Sequence, residues 1–422
     1  MERKHTLRIA GLLLGILLSS ACAMPGNAQP PTPASAAVPA PVEADVIRAA
    51  MAETADAIDQ VILDPQGRAR GDYLWFEGRW SEYEVAWHTG QAIEALLAAH
   101  AVTGDARYLA RARQAGDFWA SLELTDGPFA GMINAAHGDR LGDLINFTTV
   151  GNGTPGLFRL SKVTGDPRYA DVASRAIAWL ARNMRVPGHP GLYYNILDPA
   201  TGTILTDRSP HHDTANPSVT QVARPNIEGS PFLDACRHTG EQWLCDAHFD
   251  LAVRTAARQS ANGMWMAFEP NDPDTGRVHP RFNTWNAEAL LRTWFERRDP
   301  RLLEAALRNA RANVAFLDAD GGFDYDRIGD RTQGLAPTGS ASAFAGLLWL
   351  ELRRAGHTEF DEPIHRVARW LVANRYPAAH PDPNLRGMVV ERRIKRGSII
   401  QRDLGNLFAA RFFEKYLEQF GR

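Results

Sequence analysis

The residues of this 422-residue chain that could do chemistry gather in a few short stretches between long apolar ones. "GRVHPRFNTWN" loads His279, Arg281, Asn283, Trp285 and Asn286 onto the start of a segment where Ala287, Leu290, Leu291 and Trp294 recur at helical spacing. Carboxylates are spread over several others: Glu82, Asp143, Glu228, Asp324 and Asp326. Cleaving a glycosidic bond by acid and base takes two carboxyls across it, one protonated and one ionised. Asp143 with Glu228 is the preferred couple, because each falls just before an apolar helical segment. A second chemistry draws on different residues. Abstracting the proton beside a sugar carboxylate needs a base such as His279 or Tyr325, with Arg281, Asn283 or Arg386 to neutralise the carboxylate. Trp80, Glu82, His88, Asn152, His212, Trp285, Asp324, Asp326, Glu391 and Arg402 complete the groups able to stack on sugar faces or bind hydroxyls and acids.

Blander roles compete with each of these. Loops carry Asp and Asn for turn chemistry, and Asp105, Asp166 and Asp299 read as helix N-caps. "DADGGF" lacks the spacing and closing Glu of a calcium loop, and "HHD" at 211–213 has no second ligand cluster, so no metal is expected. There is no Gly-rich phosphate loop and no nicotinamide fingerprint, so no cofactor is implied.

The elements that must position these groups repeat. "AVTGDARYLARARQAGDFW" at 101 is echoed by "KVTGDPRYADVASRAIAWL" at 162 and by segments at 237, 296 and 353, about every sixty residues. Each copy pairs a helix apolar nearly all round, such as "WHTGQAIEALLAAHAV" or "DLGNLFAARFFEKYL", with an amphipathic one. The first kind must lie inside and the second outside. The helix near 44–63 has no inner partner before it, and the one near 404–420 has no outer partner after it. Closing the chain on itself joins them, which predicts an all-α (α/α)6 toroid over 43–422. An open all-α solenoid is the rival. The tandem corners and aromatic inner helices resemble the six-hairpin glycosidase superfamily. That resemblance implies carbohydrate chemistry: glycoside and uronyl hydrolases, sugar epimerases and relatives of polysaccharide lyases share the fold, which does not choose among them.

Outer-to-inner connections are long, about 122–150, 184–227, 261–284, 318–339 and 375–403, whereas inner-to-outer turns are short. The long loops should form one mouth at the N-termini of the inner helices. The expected function is a glycoside hydrolase acting on an oligo- or polysaccharide that contains uronic acid. A lyase or C5-epimerase is the alternative, and a non-catalytic glycan-binding protein a third.

The chain begins with Arg3, Lys4 and Arg8 before "IAGLLLGILL", which reads as an export signal over 1–21. Cys22 is then a lipid-anchor candidate, with a periplasmic or outer-membrane location; cleavage at Ala21-Cys22-Ala23 to a secreted protein is the rival. Residues 22–42 are rich in Pro and Ala, an extended tether. In an oxidising compartment Cys236 and Cys245 pair as a short-loop disulfide, two buried thiols being the alternative. The net charge of −3 gives no footing for nucleic acid, and membrane contact is expected only through the anchor.

Overall fold

The computed structural model describes residues 40–81, 85–134, 143–208, 215–329, 331–332, 337–395 and 397–421. Glu82, His212, Cys22 and the export signal lie outside the described residues. From Pro39 onward the chain forms one compact unit. Its long helices run α1 (Ala44–Ala57), α2 (Trp87–Thr103), α3 (Ala106–Ala120), α4 (Phe147–Thr164), α5 (Arg168–Asn183), α6 (Pro231–Thr239), α7 (Gln242–Ala257), α8 (Pro280–Arg297), α9 (Pro300–Val314), α10 (Gly339–Arg354), α11 (Asp361–Ala373) and α12 (Leu404–Phe420). Even-numbered helices are buried almost all round and odd-numbered ones along one stripe, as their sequences dictate. The ring closes where α12 packs on both α1 and α2, and the Val42 N–H donates to Tyr416 Oη at 2.9 Å. The fold is an (α/α)6 toroid.

The repeated corner explains how consecutive hairpins join. Gly104 and Gly165 end α2 and α4 at φ 72°, where a side chain would be strained. Asp105 and Asp299 then cap α3 and α9, accepting the backbone N–H of Arg107 at 2.8 Å and Arg301 at 3.0 Å. Asp166 stands one residue before the cap of α5 and still accepts from Arg168 N–H at 3.1 Å. The next residue in two copies is a tyrosine that reaches back. Tyr108 Oη donates to Asp56 and Tyr169 Oη to Asp117, each at 2.9 Å and each on the preceding outer helix. One motif thus turns the chain and fixes neighbouring outer helices together. Cys236 and Cys245 are bonded, with Cα atoms 5.4 Å apart, and tie α6 to α7.

Inside the ring, contact is made backbone to backbone. A Cβ added at Gly90 on α2 would lie 1.9 Å from the Gly153 carbonyl oxygen, and one at Gly156 would lie 2.1 Å from that of Gly90. The seam between α6 and α8 is bridged instead by Arg292, which binds Asp234 at 2.9 Å and the Gly229 carbonyl at 2.7 Å. Charges cross the lower ring as well: Arg411 meets Glu94 at 3.3 Å, and Arg159 pairs with Glu414. Glu288 belongs to this layer. Burial pushes its carboxyl up to about 7, against the pull of Arg292 and Arg411.

Two stability predictions follow from this packing. Gly90→Ala should cost ~3 kcal/mol or more in urea unfolding, the upper range for overpacking. Gly104→Ala, with nothing within 4 Å of its Cβ, should cost only the ~1 kcal/mol of a left-handed Ala; equal losses would mean that α2 and α4 do not touch at Gly90. For Glu288, the folded carboxyl holds a proton that the unfolded one releases near 4.5. Its effect on stability therefore turns unfavourable as pH rises from about 4.5 to about 7. Glu288→Gln should match the parent near pH 4 and exceed it at pH 8 by up to ~3 kcal/mol. A parent that is the more stable of the two at pH 8 would mean an ionised, well-paired Glu288.

Candidate active site

The mouth lies where the inner helices begin, and each first turn brings its own polar group. Asn146 caps α4 by accepting from Thr148 N–H at 2.8 Å. His279 caps α8, its Nδ1 accepting from Phe282 N–H at 3.1 Å. Glu391 serves α10, accepting from Ser340 N–H and Ser340 Oγ, each at 2.7 Å. Asp403, ahead of α12, faces His88 Nδ1 at 2.8 Å from α2. The cap on His279 has a chemical consequence. An Nδ1 that accepts a backbone N–H carries no proton, so the ring's proton sits on Nε2.

One wall of the mouth is a four-stranded antiparallel sheet. Its strands β1 (Asp72–Leu74), β2 (Arg79–Trp80), β3 (Arg392–Lys395) and β4 (Ser398–Arg402) are ordered β3-β4-β1-β2. Arg402, opposite Asp72 in the register, binds its carboxylate at 2.8 Å and approaches His88 Nε2 at 3.4 Å. His88, Asp72 and Asp403 are fully buried, so they position Arg402 rather than touch a substrate. Arg393 binds Glu391 at 3.0 Å and lies over the Tyr325 ring, 3.6 Å from its centroid.

Tyr325 is the centre of a cationic cluster. Its half-buried ring meets His279 edge-on at 4.5 Å between centroids, and Arg281 stands 5.4 Å from it on the side of α8. Arg281 also contacts Ser340 Oγ at 3.4 Å and lies 5.5 Å from the centre of Trp87. Burial lowers its pKa to about 10, which leaves it protonated at neutral pH. Beneath this cluster the ring is floored by aromatics. Trp285 meets Phe344 at 4.9 Å, Phe408 at 5.5 Å and Trp87 at 6.1 Å.

The carboxylates offered by the sequence have other partners. Glu228 is buried against Arg224 at 3.1 Å, in a turn where Asn226 and Ser230 both adopt φ 53°. Arg224 is itself held by Thr148 Oγ1 at 2.6 Å and the Glu269 carbonyl at 3.2 Å. Asp324 pairs with Arg327 at 3.1 Å and Asp326 with Arg277 at 2.6 Å. Burial still raises the Asp326 carboxyl above its ordinary range despite that arginine. Asp143 is exposed on the turn before the strand Ile145–Asn146, whereas Glu228 is buried.

Several binding candidates turn out to hold the frame. Asn283 is fully buried: its Oδ1 accepts from Trp265 N–H at 2.7 Å, and its Nδ2 donates to Asn271 Oδ1 at 3.0 Å. Its amide is spent on the loop ahead of α8, which corrects its assignment to a substrate. Trp285 belongs to the floor, and Trp80 Nε1 is tied to Asn384 Oδ1 at 2.9 Å. Arg386 is exposed and donates to the His380 carbonyl at 2.9 Å. Asn152, buried on α4, lines the ring beside Gly229, whose added Cβ would lie 3.7 Å from its Oδ1. Sequence reasoning passed over Arg393, Arg224 and Ser340. Only Arg393 gave a signal, as half of an Arg-Arg pair in a strand, where alternate residues face opposite ways.

No family model and no curated relative matches the chain. Solved structures do. The cellobiose 2-epimerase of Spirochaeta thermophila superposes with a TM-score of 0.66 at 14% identity, over 90% of this chain and 99% of that one. A D-mannose isomerase gives 0.62 at 13% identity, over 89% and 98%. A possible member of GH105 family from Salmonella enterica serovar Paratyphi A gives 0.60 at 12% identity, over 90% and 95%. Identities this low speak for architecture alone. By that measure the chain shares the (α/α)6 toroid fold of these solved structures.

Proposed function

We propose that the chain is a carbohydrate-active enzyme that abstracts the proton beside the carboxylate of a uronic acid within an oligo- or polysaccharide, giving an epimer or an eliminated product. The observation that carries this reading is Tyr325, edge-on to His279 at 4.5 Å and covered by the Arg393 guanidinium at 3.6 Å. Arg281, Arg393 and Arg402 supply the positive charge that a sugar carboxylate, and its enolate still more, would require. Tyr325, its ring flanked by two guanidiniums, is the group that takes the proton from carbon. His279, its Nδ1 held by the helix cap and its ring edge-on to Tyr325, would serve as the second proton-transfer group. Return of a proton to the opposite face of the carbon gives the epimer. Breaking the adjacent carbon–oxygen bond instead gives an unsaturated sugar and a leaving hydroxyl.

Hydrolysis is the second reading, and one observation favours it. Asp326 is a carboxyl raised by burial close to Tyr325 in sequence, suited to a protonated acid. Its weakness is the partnering of the carboxylates: Glu228 and Asp324 are arginine-bound, as Asp326 itself is.

The test is turnover of uronic-acid oligosaccharides in deuterated water, following reducing ends, ultraviolet absorbance and deuterium at the carbon beside the carboxylate. Deuterium uptake without new reducing ends marks an epimerase, and absorbance rising with reducing ends marks a lyase. Tyr325→Phe should lower either rate by ~100-fold or more while substrate affinity stays within about threefold. Reducing ends alone, without absorbance or deuterium, would overturn the proposal in favour of hydrolysis.

A further inference from the structure

Three arginines are buried among the described residues: Arg224, Arg281 and Arg402. Two of them have a carboxylate of their own. Arg224 binds Glu228 at 3.1 Å, and Arg402 binds Asp72 at 2.8 Å. Arg281, only 5% exposed, makes no ion pair with any described carboxylate. Its one hydrogen bond is long, from Nη1 to Ser340 Oγ at 3.4 Å. Its Nε and Nη2 have no partner among the described residues, yet neither is sealed off from open space. Burying a cation without an anion is costly, so this arrangement is one that a bound anion would relieve.

The surroundings hold that charge without cancelling it. The guanidinium lies over the rings of Trp87 and Tyr325, 5.5 and 5.4 Å from their centroids, and such faces attract a cation without neutralising it. Glu391 is the carboxylate nearest in the hydrogen-bond chain, and its oxygens are spent on other groups. Oε2 accepts from Ser340 N–H at 2.7 Å, while Oε1 accepts from Ser340 Oγ at 2.7 Å and from Arg393 at 3.0 Å. The Ser340 hydroxyl therefore stands between Glu391 and Arg281, donating to the first and accepting from the second. Arg393 is matched by Glu391 and Arg402 by Asp72. Of the three cations assigned to the site, Arg281 is the one left unmatched.

We infer that Arg281 is the receptor for the carboxylate of the reacting sugar and the residue that sets the preference for a uronic acid over a neutral sugar. Its free N–H groups would take the two carboxylate oxygens, completing an ion pair that the protein leaves open. A carboxylate held there lies against the Tyr325 ring, which brings the neighbouring carbon to the group that takes its proton. A neutral sugar, or a uronic acid methyl ester, would leave the buried charge unmatched. This inference rests on the uronic-acid reading of the site, and divides the work among its arginines: Arg281 binds, whereas Arg393 covers Tyr325.

Calorimetric titration of the full chain with methyl glucuronoside, its methyl ester and methyl glucoside tests the assignment. Tyr325→Phe protein is used as the parent, so that binding is read without turnover. The acid should bind about thirtyfold more tightly than either neutral probe. Adding Arg281→Gln should bring the three affinities to within about threefold of one another, and adding Arg393→Gln should leave the preference in place. Arg281→Gln should melt no lower than its parent, because it removes a buried charge that lacks a counter-ion. Should that variant fail to fold, a crystal structure of the Tyr325→Phe protein with the glucuronoside decides: the carboxylate is expected on Arg281, and a carboxylate on Arg393 or Arg402 overturns the assignment. No preference for the acid, or a preference that survives Arg281→Gln, overturns it as well. The two readings fail separately. Deuterium exchange by the unmodified protein, with an acid preference indifferent to Arg281, sinks the receptor alone. An acid preference that depends on Arg281, in a protein that neither exchanges nor eliminates the proton, sinks the site chemistry alone.

Discussion

Each α-helix leaves up to four backbone N–H groups without an intrahelical partner in its first turn, and six such turns surround one opening here. Their dipoles add, so the mouth is positive before any side chain is counted. Much of its polar structure answers that constraint. Asn146, His279 and Glu391 accept first-turn N–H groups directly, and Asp403 brings a carboxylate to the start of α12. Acids at the mouth would neutralise the opening, but arginines bind Glu391 and three others near it. Glu391 holds Arg393, Asp72 holds Arg402, Glu228 holds Arg224 and Asp326 holds Arg277. The anions become positioning groups for cations, and the mouth stays receptive to negative charge.

This arrangement bears on the choice of chemistry. A carboxyl beside a guanidinium favours ionisation, and a general acid for glycoside cleavage must stay protonated. Burial works the other way at Asp326, and that favours the hydrolytic reading. Proton abstraction beside a carboxylate has the opposite need. It gains from surrounding cations, because negative charge moves onto the carboxylate as the proton leaves. The crowding of Arg281 and Arg393 against Tyr325 suits the second demand and offers little to the first.

The ring was legible in the sequence because its cause is periodic. Apolar helices that must be inside alternate with amphipathic ones, and two corners carry a Gly, an Asp and an Arg within four residues. The site was only partly legible, for a reason visible within "HPRFNTWN". Arg281 and Trp285 lie one turn apart on the same face of α8, toward the lumen, while Asn283 points to the loop around Trp265. Composition marked the stretch as unusual. It could not say which face of the helix looks inward. Asp326 and Arg277 are far apart in the chain, so no local pattern could reveal that this carboxylate is already paired. Asp324 and Arg327 lie within one helical turn's spacing, and that pairing could have been suspected.

The aromatic floor links the fold to the direction from which a substrate arrives. Trp87, Trp285, Phe344 and Phe408 close the lumen below Arg281 from four different inner helices. Their contact in turn depends on how closely those helices approach. At the start of α10, a Cβ added to Gly339 would lie 3.1 Å from the Gly405 Cα on α12, so side chains there would spread the ring. A floor packed this closely closes the lumen below Arg281. On the proposed reading, a sugar chain would then reach Tyr325 from the side of the inner-helix N-termini, because the close packing deep in the ring leaves the mouth as the way in.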